Sequence, residues 1–338
     1  KLLLFCNPTK GYKFMIVTWG GFTGVVSGMN IEGLSITLNA SKSSIPTGTA
    51  EPVSLIAREI LQYAKNIDEA VKIAQSRKAF VSESFMNSSA ADNKTVIIEK
   101  TPDKTAVAYP TGNEIICTNH YQSKELINSE KNEEQIKQSA SEYRYLRIKE
   151  LLGKTEKNNP QKTVAILRNQ LGLQDRFIGY GNEKAVNQLI CHHSIVFEPQ
   201  KKLVWVSTQP WQLGEYVAYD LNKIFAMHGL QTNHEIADTA LNIQADEFLK
   251  TDSYKAFVAF RTTKEKILNN EKIDVAQFIK TNPEYYDTYV LAGNYLFNQK
   301  QYAQAKKQYE TALTKEVATK YEIENIQDKI KKCDKKLN

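Results

Sequence analysis

The sequence has little of what builds metal centres, disulfide scaffolds or membrane spans. Its four cysteines, Cys6, Cys117, Cys191 and Cys333, lie far apart with no C-x-x-C spacing, so neither a zinc site nor a disulfide framework is signalled. His192 and His193 are adjacent. On the strand expected there they face opposite ways, and no carboxylate stands at metal spacing, so no metal is expected, and no organic cofactor either. Apolar runs such as residues 2–5 are much too short to cross a bilayer. Low-complexity tracts are missing, and 41% hydrophobic with 24% charged residues is ordinary globular composition. Basic residues outnumber acidic ones by only 44 to 38, a net charge of +6 that is scattered except for a cluster at Lys329, Lys331, Lys332, Lys335 and Lys336. Nucleic-acid binding usually needs a concentrated basic face, so no nucleic-acid partner is expected.

What is present fits one large domain and a smaller one within 338 residues. Residues 19–39 look like the organising stretch, with Gly20, Gly21, Gly24 and Gly28 crowding its first half. Strands are expected over 2–6, 12–18, 22–27 and 34–38, with turn chemistry at 30–33. A glycine inside a strand lets another backbone or a ligand come close. Residues 2–6 lack the long apolar core of a leader, and Phe5 stands where a small residue would precede the cut, so a strand running into the Asn7-Pro8 turn is expected. The chain is thereby expected to open inside a sheet, with Lys1 not the biological start.

A helix over 53–64 is expected to bury Leu55, Ile56, Ile60 and Leu61, and a second one starts at an Asn66 or Asp68 cap and runs to about Ser76. Strands over 82–89, 95–100, 105–109 and 114–118 suggest a second sheet able to face the first. A helix over 133–152 should bury Tyr143, Leu146, Ile148, Leu151 and Leu152, and another spans 160–171. A loop over 177–182, a hairpin of 188–198 with 203–208, and a strand over 214–221 close the region. The order predicts an α+β fold, an αββα sandwich of two antiparallel sheets over residues 1–230. Residues 231–338 form a helical tail. There Tyr289, Gly293, Tyr302, Ala305, Tyr309 and Ala312, after Asn282-Pro283, resemble one tetratricopeptide repeat, which must pack on flanking helices or on the body. A peptide partner or a second copy could dock on such a tail.

Several residues could carry chemistry. Asn39 ends a strand, where asparagine serves as a turn or cap residue or, with its amide in a cleft, as an oxyanion donor. Residues 115–118 read as an apolar strand that stops abruptly at Asn119-His120-Tyr121, a rigid mount at a cleft mouth. Cys117, inside the apolar run, reads as a buried structural thiol. Arg144 could hold developing charge through paired N–H donors, with Arg147 one turn further as the fallback. Trp19, Phe22, Tyr121, Trp205 and Trp211 could line an apolar acyl pocket or fill the core.

Gly28-Met29-Asn30-Ile31-Glu32-Gly33-Leu34, followed by Leu38-Asn39, resembles the "GMN-x-x-GL…LN" signature of N-terminal-nucleophile hydrolases, the choloylglycine hydrolases and penicillin acyltransferase-like cysteine amidases. Thr118-Asn119-His120-Tyr121 is similar to the second asparagine motif of the acyltransferase branch, and Ser141-Glu142-Tyr143-Arg144 to its "S-x-x-R" helix. The resemblance covers residues 1–225 and implies Asn39 and Asn119 as oxyanion donors and Arg144 as site arginine; of the aromatics, Trp19, Phe22 and Tyr121 are the ones expected to contact the substrate. It implies a cysteine nucleophile at a processed N-terminus. Cys6 is preceded by five residues and lies much closer to the GMN motif than that cysteine should. The nucleophile is therefore expected on a separate N-terminal chain of the same precursor. The implied activity is hydrolysis or acyl transfer of a small acyl amide through a thioester. The alternative is a catalytically silent homologue acting as a partner-binding platform through its tail. A periplasmic or secreted location is implied by analogy with the family.

Overall fold

Strand register sets the layers. The computed structural model describes residues 1–43, 48–227 and 229–338. A seven-stranded antiparallel sheet runs in chain order through β1 (Leu2–Cys6), β2 (Phe14–Thr18), β3 (Ser27–Asn30), β4 (Leu34–Ala40), β5 (Glu83–Ser89), β6 (Lys94–Lys100) and β7 (Thr105–Ala108). Helices α1 (Val53–Tyr63) and α2 (Ile67–Ser76) come between β4 and β5. Because alternate residues point to opposite faces, Phe14, Ile16, Leu34, Ile36, Phe85, Val96 and Ile98 form one core with α1 and α2. From the other face, Leu3, Phe5, Met15, Val17 and Met29 pack on a second, three-stranded sheet of β8 (Ile195–Glu198), β9 (Leu203–Ser207) and β10 (Tyr216–Asp220).

Trp205, Tyr216 and Ala218 on the far face of that sheet pack with Val164. Among the helices that lie between the sheets in sequence, α3 (Glu130–Gln138), α4 (Ser141–Gly153) and α5 (Pro160–Leu167), it is α5 that carries Val164 and covers this face. The layers are helices, sheet, sheet, helix, the expected αββα order in an α+β fold.

The residues of the GMN signature have structural reasons to be what they are. A side chain at Gly28 would put its Cβ 2.5 Å from the Met15 carbonyl oxygen and 2.6 Å from Leu61 Cδ1, so glycine lets α1 lie against β3. Asn30 is wholly buried; its amide donates to the Leu61 and Ala64 carbonyls at 2.9 and 2.7 Å, and its oxygen accepts from the N–H groups of Glu32 and Leu34. It thus satisfies carbonyls that the end of α1 leaves open and pins the turn into β4. Gly33 holds that turn at φ +77°.

Several expectations are corrected. The strand placed at 22–27 is a loop, and pairing begins at Ser27. The strands from 82 onward do not found a second sheet: β5 pairs with β4 from Leu34↔Ser89 to Ala40↔Glu83 and extends the first. Residues 114–118 form no strand, because side chains take up their backbone groups: Gln122 donates to the Ile116 carbonyl at 2.7 Å and Asn39 to that of Cys117 at 3.2 Å. The long helix expected over 133–152 breaks into α3 and α4 at Ser139, whose hydroxyl turns back to the Gln135 carbonyl at 2.7 Å and receives the Ser141 N–H. The buried residues of α4 are Ser141 and Arg147, while Leu146 is 45% exposed. Leu55 of α1 is likewise exposed. His192 and His193 lie outside any strand, since β8 begins only at Ile195.

After β10 come α6 (Leu221–Ala226), α7 (Asp252–Leu268), α8 (Val275–Thr281), α9 (Tyr286–Asn298), α10 (Tyr302–Leu313) and α11 (Lys320–Leu337). Helices α9 and α10 cross at Gly293, where a Cβ would meet the Tyr309 ring at 2.5 Å. The small-residue crossing and aromatic filler read from the sequence are therefore present in the helix pair. The tail shares its core with the body: Leu189 and Leu213 belong to the same cluster as Phe257, Phe260 and Tyr285, and Trp211 packs edge-on against Phe257. No helix among the described residues is long and apolar enough to cross a membrane.

Candidate active site

Alternation along β4 sends Leu34, Ile36 and Leu38 to the helix side, and so Ser35, Thr37 and Asn39 to the side facing the second sheet. On β4 to β6 that inner face is largely polar, with Ser84, Ser88, Thr95 and Glu99 beside these residues and Met86 and Ile97 as its apolar members, whereas the three-stranded sheet packs on the apolar part, β1 to β3. A cleft of about 1130 Å³ opens over the uncovered part, lined by Met86, Ser88, Thr95, Ile115, Leu152 and Phe197.

Asn39, near the end of β4, donates from its amide to the Cys117 carbonyl at 3.2 Å, and Asn119 donates from its own to the Ala40 carbonyl at 3.0 Å. The two amides clasp each other's backbone, which brings them to one place. Arg144 joins them: one guanidinium nitrogen donates to the Asn119 side-chain oxygen at 2.6 Å and the other to the Glu183 carbonyl at 2.9 Å. Burial lowers the pKa of this guanidinium from its ordinary value, and the Glu183 charge opposes that shift. With its oxygen committed to Arg144, the Asn119 amide presents N–H donors. Both asparagine amides keep a second N–H with no partner among the described residues. Three residues distant in sequence thus converge as two amide donors backed by one cation, a set able to stabilise an oxyanion.

The mount is rigid. Ser141 at the start of α4 accepts the Asn119 N–H at 2.8 Å, and its hydroxyl also contacts His120 Nδ1 at 2.8 Å and Thr118 Oγ1 at 3.0 Å. Buried Glu99 on β6 accepts the N–H groups of Gln122 at 2.5 Å and Ser123 at 3.1 Å, and buried Asn132 accepts that of Tyr121 at 2.7 Å. Glu99, Asn132 and Glu183 were missed as supports, because nothing in their local sequence marks a carboxylate or amide that serves a loop far along the chain. Ser141 alone was visible, three residues before Arg144.

Not every expected residue reaches the site. Tyr121 is fully buried with Ala106 and Leu126, its hydroxyl 3.4 Å from the Lys100 carbonyl, and so presents no surface to a cleft. Trp19 and Phe22 stack at 4.4 Å on the loop before β3. Leu38 N–H bonds to the Val26 carbonyl, which puts that loop beside the end of β4 that carries Asn39. Trp205 is core, its indole bonded to the Leu241 carbonyl, and Trp211 lies at the junction with the tail. Arg147 is no substitute for Arg144: it is fully buried and paired with Asp175 at 2.7 Å and Glu150 at 2.9 Å.

None of the cysteines offers a thiolate here: Cys191 is half-buried, its thiol donates to the His193 carbonyl, and burial raises its pKa. Cys6 packs with the helix-side core, across the sheet from Asn39, and burial raises its pKa. Cys117 is pushed up to about 12 by burial, with Glu99 and Glu83 adding to the effect. Cys333 is buried in the tail.

Among solved structures the chain is similar to penicillin V acylase from Agrobacterium tumefaciens, at 15% identity and a TM-score of 0.43 over 64% of this chain and 72% of that one. It is also similar to a variant of conjugated bile acid hydrolase from Clostridium perfringens, at 13% identity and a TM-score of 0.36 over 63% and 78%. A third is an N-acylethanolamine-hydrolyzing acid amidase ortholog from Caenorhabditis elegans, at 16% identity and a TM-score of 0.35 over 53% and 77%. An uncharacterized protein of Archaeoglobus fulgidus is 27% identical over 112 residues, which are 32% of this chain and 19% of that relative, so the match spans about a fifth of its length. Residues 1–210 match the family described as acyl-coenzyme A:6-aminopenicillanic acid acyl-transferase, and the chain belongs to that family.

Proposed function

We propose that this chain forms the larger part of a cysteine amidase or acyltransferase acting on a small acyl amide with an apolar acyl group. The observation that carries the reading is the convergence of Asn39, Asn119 and Arg144. A thiolate attacks the amide carbonyl carbon, and the negative charge that moves onto the oxygen is held by the free N–H groups of the two asparagines. Arg144 keeps the Asn119 amide turned toward that oxygen. The carbon–nitrogen bond then breaks, the amine leaves with the proton that the thiol gave up, and water or a second amine resolves the thioester, returning a proton to the sulfur.

The nucleophile in this reading comes from a segment N-terminal to Lys1. Two features support it: Cys6 and Cys117 are respectively on the wrong face and buried, and among the described residues β8 pairs only with β9, leaving its other edge beside the cleft over β4 to β6. Additional strands would fit there. Trp19 and Phe22 are proposed to contact the acyl group, and an exported location follows only from the family resemblance.

N-terminal sequencing and intact mass of protein from the native host, with thiol alkylation before an acyl-amide assay, test the reading. A second polypeptide beginning with cysteine, and activity abolished by alkylation, are expected. A fully occupied wild-type protein with no such cysteine, or activity indifferent to alkylation, would refute it in favour of a silent platform.

A further inference from the structure

The loop that carries Glu183 stands between the candidate site and the helical tail, and tail residues grip it at several points. Asn282 exchanges two hydrogen bonds with the backbone of Tyr180, at 3.1 and 2.8 Å. Buried Asn182 donates to the Glu316 carbonyl at 2.8 Å, while the Glu316 carboxylate pairs with Lys184 at 2.6 Å and Arg176 at 2.9 Å. At Gly179, where φ is +84°, a Cβ would lie 2.4 Å from the Tyr285 backbone, so the loop runs directly against the start of α9. The Glu183 carboxylate points into this junction: one oxygen faces the hydroxyls of Tyr285 at 3.4 Å and Tyr286 at 3.2 Å, and the other is buried with no partner among the described residues. The Glu183 carbonyl holds Arg144.

A buried carboxylate with an unpaired oxygen is costly to keep, and it persists only where its surroundings fix it. Here the donors it faces are the two tyrosine hydroxyls from the tail and its own backbone N–H, so the tyrosines are the part of its setting that the tail supplies. The path from the tail to the oxyanion donors is therefore short: Tyr285 and Tyr286 to the Glu183 side chain, the Glu183 carbonyl to Arg144, and Arg144 to the Asn119 oxygen.

We propose that Glu183 is a positioning residue through which the helical tail sets the geometry of the site, so that the hydroxyls of Tyr285 and Tyr286 determine where Arg144 holds the Asn119 amide. This rests on the amidase reading for its catalytic consequence, but the mechanical coupling does not. In the full-length protein, Tyr285→Phe/Tyr286→Phe removes two hydroxyls without changing packing volume, Glu183→Ala removes the carboxylate, and Glu183→Gln keeps an acceptor oxygen for the tyrosines. Hydrogen exchange of residues 116–123 and of the start of α4, followed by mass spectrometry, reads the coupling without any assay. Faster exchange at these two segments is expected in the double variant and in Glu183→Ala, with Glu183→Gln close to wild type.

On the active protein the same variants should lower kcat by roughly 10- to 100-fold with KM little changed, since sub-ångström misplacement of a catalytic group costs rate more than binding. Unchanged exchange in the double variant and in Glu183→Ala would overturn the coupling, whatever the activity. A response in exchange from a wild-type protein that hydrolyses no acyl amide would sustain the coupling and defeat the amidase reading.

Discussion

Arg144 donates a 2.6 Å hydrogen bond to the side-chain oxygen of Asn119, and this one contact decides which way the asparagine amide faces. A carboxamide whose oxygen is held by a cation has only donors left to offer. The same guanidinium spans to the Glu183 carbonyl at 2.9 Å, so it bridges two segments from a fixed fork. Lysine cannot reproduce that planar, two-point geometry. Arg144→Lys is therefore expected to lower kcat/KM nearly as far as Arg144→Ala, on the order of 10- to 100-fold, measured by steady-state kinetics beside circular dichroism to establish that folding is kept. Retention of most activity in the lysine variant would mean that charge alone suffices there.

The two asparagines should behave alike under substitution. Each donates one N–H to backbone and keeps one without a partner among the described residues, so Asn39→Ala and Asn119→Ala are each expected to reduce kcat by on the order of 10²–10³, the usual cost of removing an oxyanion donor. The double variant should fall well short of the product of the two losses, because the amides act on one oxygen. A variant with full turnover would take its asparagine out of the mechanism and leave it as a clasp between segments.

Glycine 28 and asparagine 30 are predicted to matter for stability and not for chemistry. Gly28→Ala would force a methyl to 2.5 Å from the Met15 carbonyl oxygen and against Leu61, an overpacking expected to cost about 1–3 kcal/mol. Asn30→Ala would strand the α1 carbonyls of Leu61 and Ala64, and each buried group left without a partner costs about 1–3 kcal/mol. Urea titration followed by tyrosine and tryptophan fluorescence measures both. A wild-type midpoint in either variant would show that the motif is not held in place by packing.

The part of this architecture legible in the sequence was the part carried by local pattern. Alternation gave most strands, Asn66 gave a helix start that accepts the Glu69 N–H, and Gly293 with Tyr309 gave the crossing of α9 and α10. Asn39, Asn119 and Arg144 came into view through motif resemblance, and the fold does bring them together. Long-range partnership was not legible. Nothing near residues 82–89 says that the strand pairs with β4 and not within a new sheet, since antiparallel pairing depends on which edge is free when the chain returns. An apolar run such as Ile115-Ile116-Cys117 looks like a strand until distant side chains are seen to occupy its backbone groups. Tyr121 could not be told from a pocket residue, because burial beneath a loop depends on Asn132 and Glu99, which are close only in space.

Glu83 gives stability a pH dependence whose sign can be fixed. It stands opposite Ala40 at the start of β5, and burial raises its carboxyl from 4.5 to about 7. A carboxyl whose pKa is higher folded than unfolded favours folding in its protonated form. Its favourable contribution is complete below about pH 4.5 and is lost as pH rises through about 7. Glu150 and Asp175, both held to about 2 chiefly by hydrogen bonds from Lys154, titrate below that window. His120 and His193, whose pKa values burial lowers, act in the opposite sense, and the comparison of wild type with a variant at position 83 isolates Glu83 from them. Glu83→Gln keeps the shape and removes the titration, so the variant should gain stability over wild type steadily between about pH 5 and 8. Urea midpoints of the two proteins across that range check it, and curves that stay parallel would mean that Glu83 is ionised throughout and is solvated in the folded state.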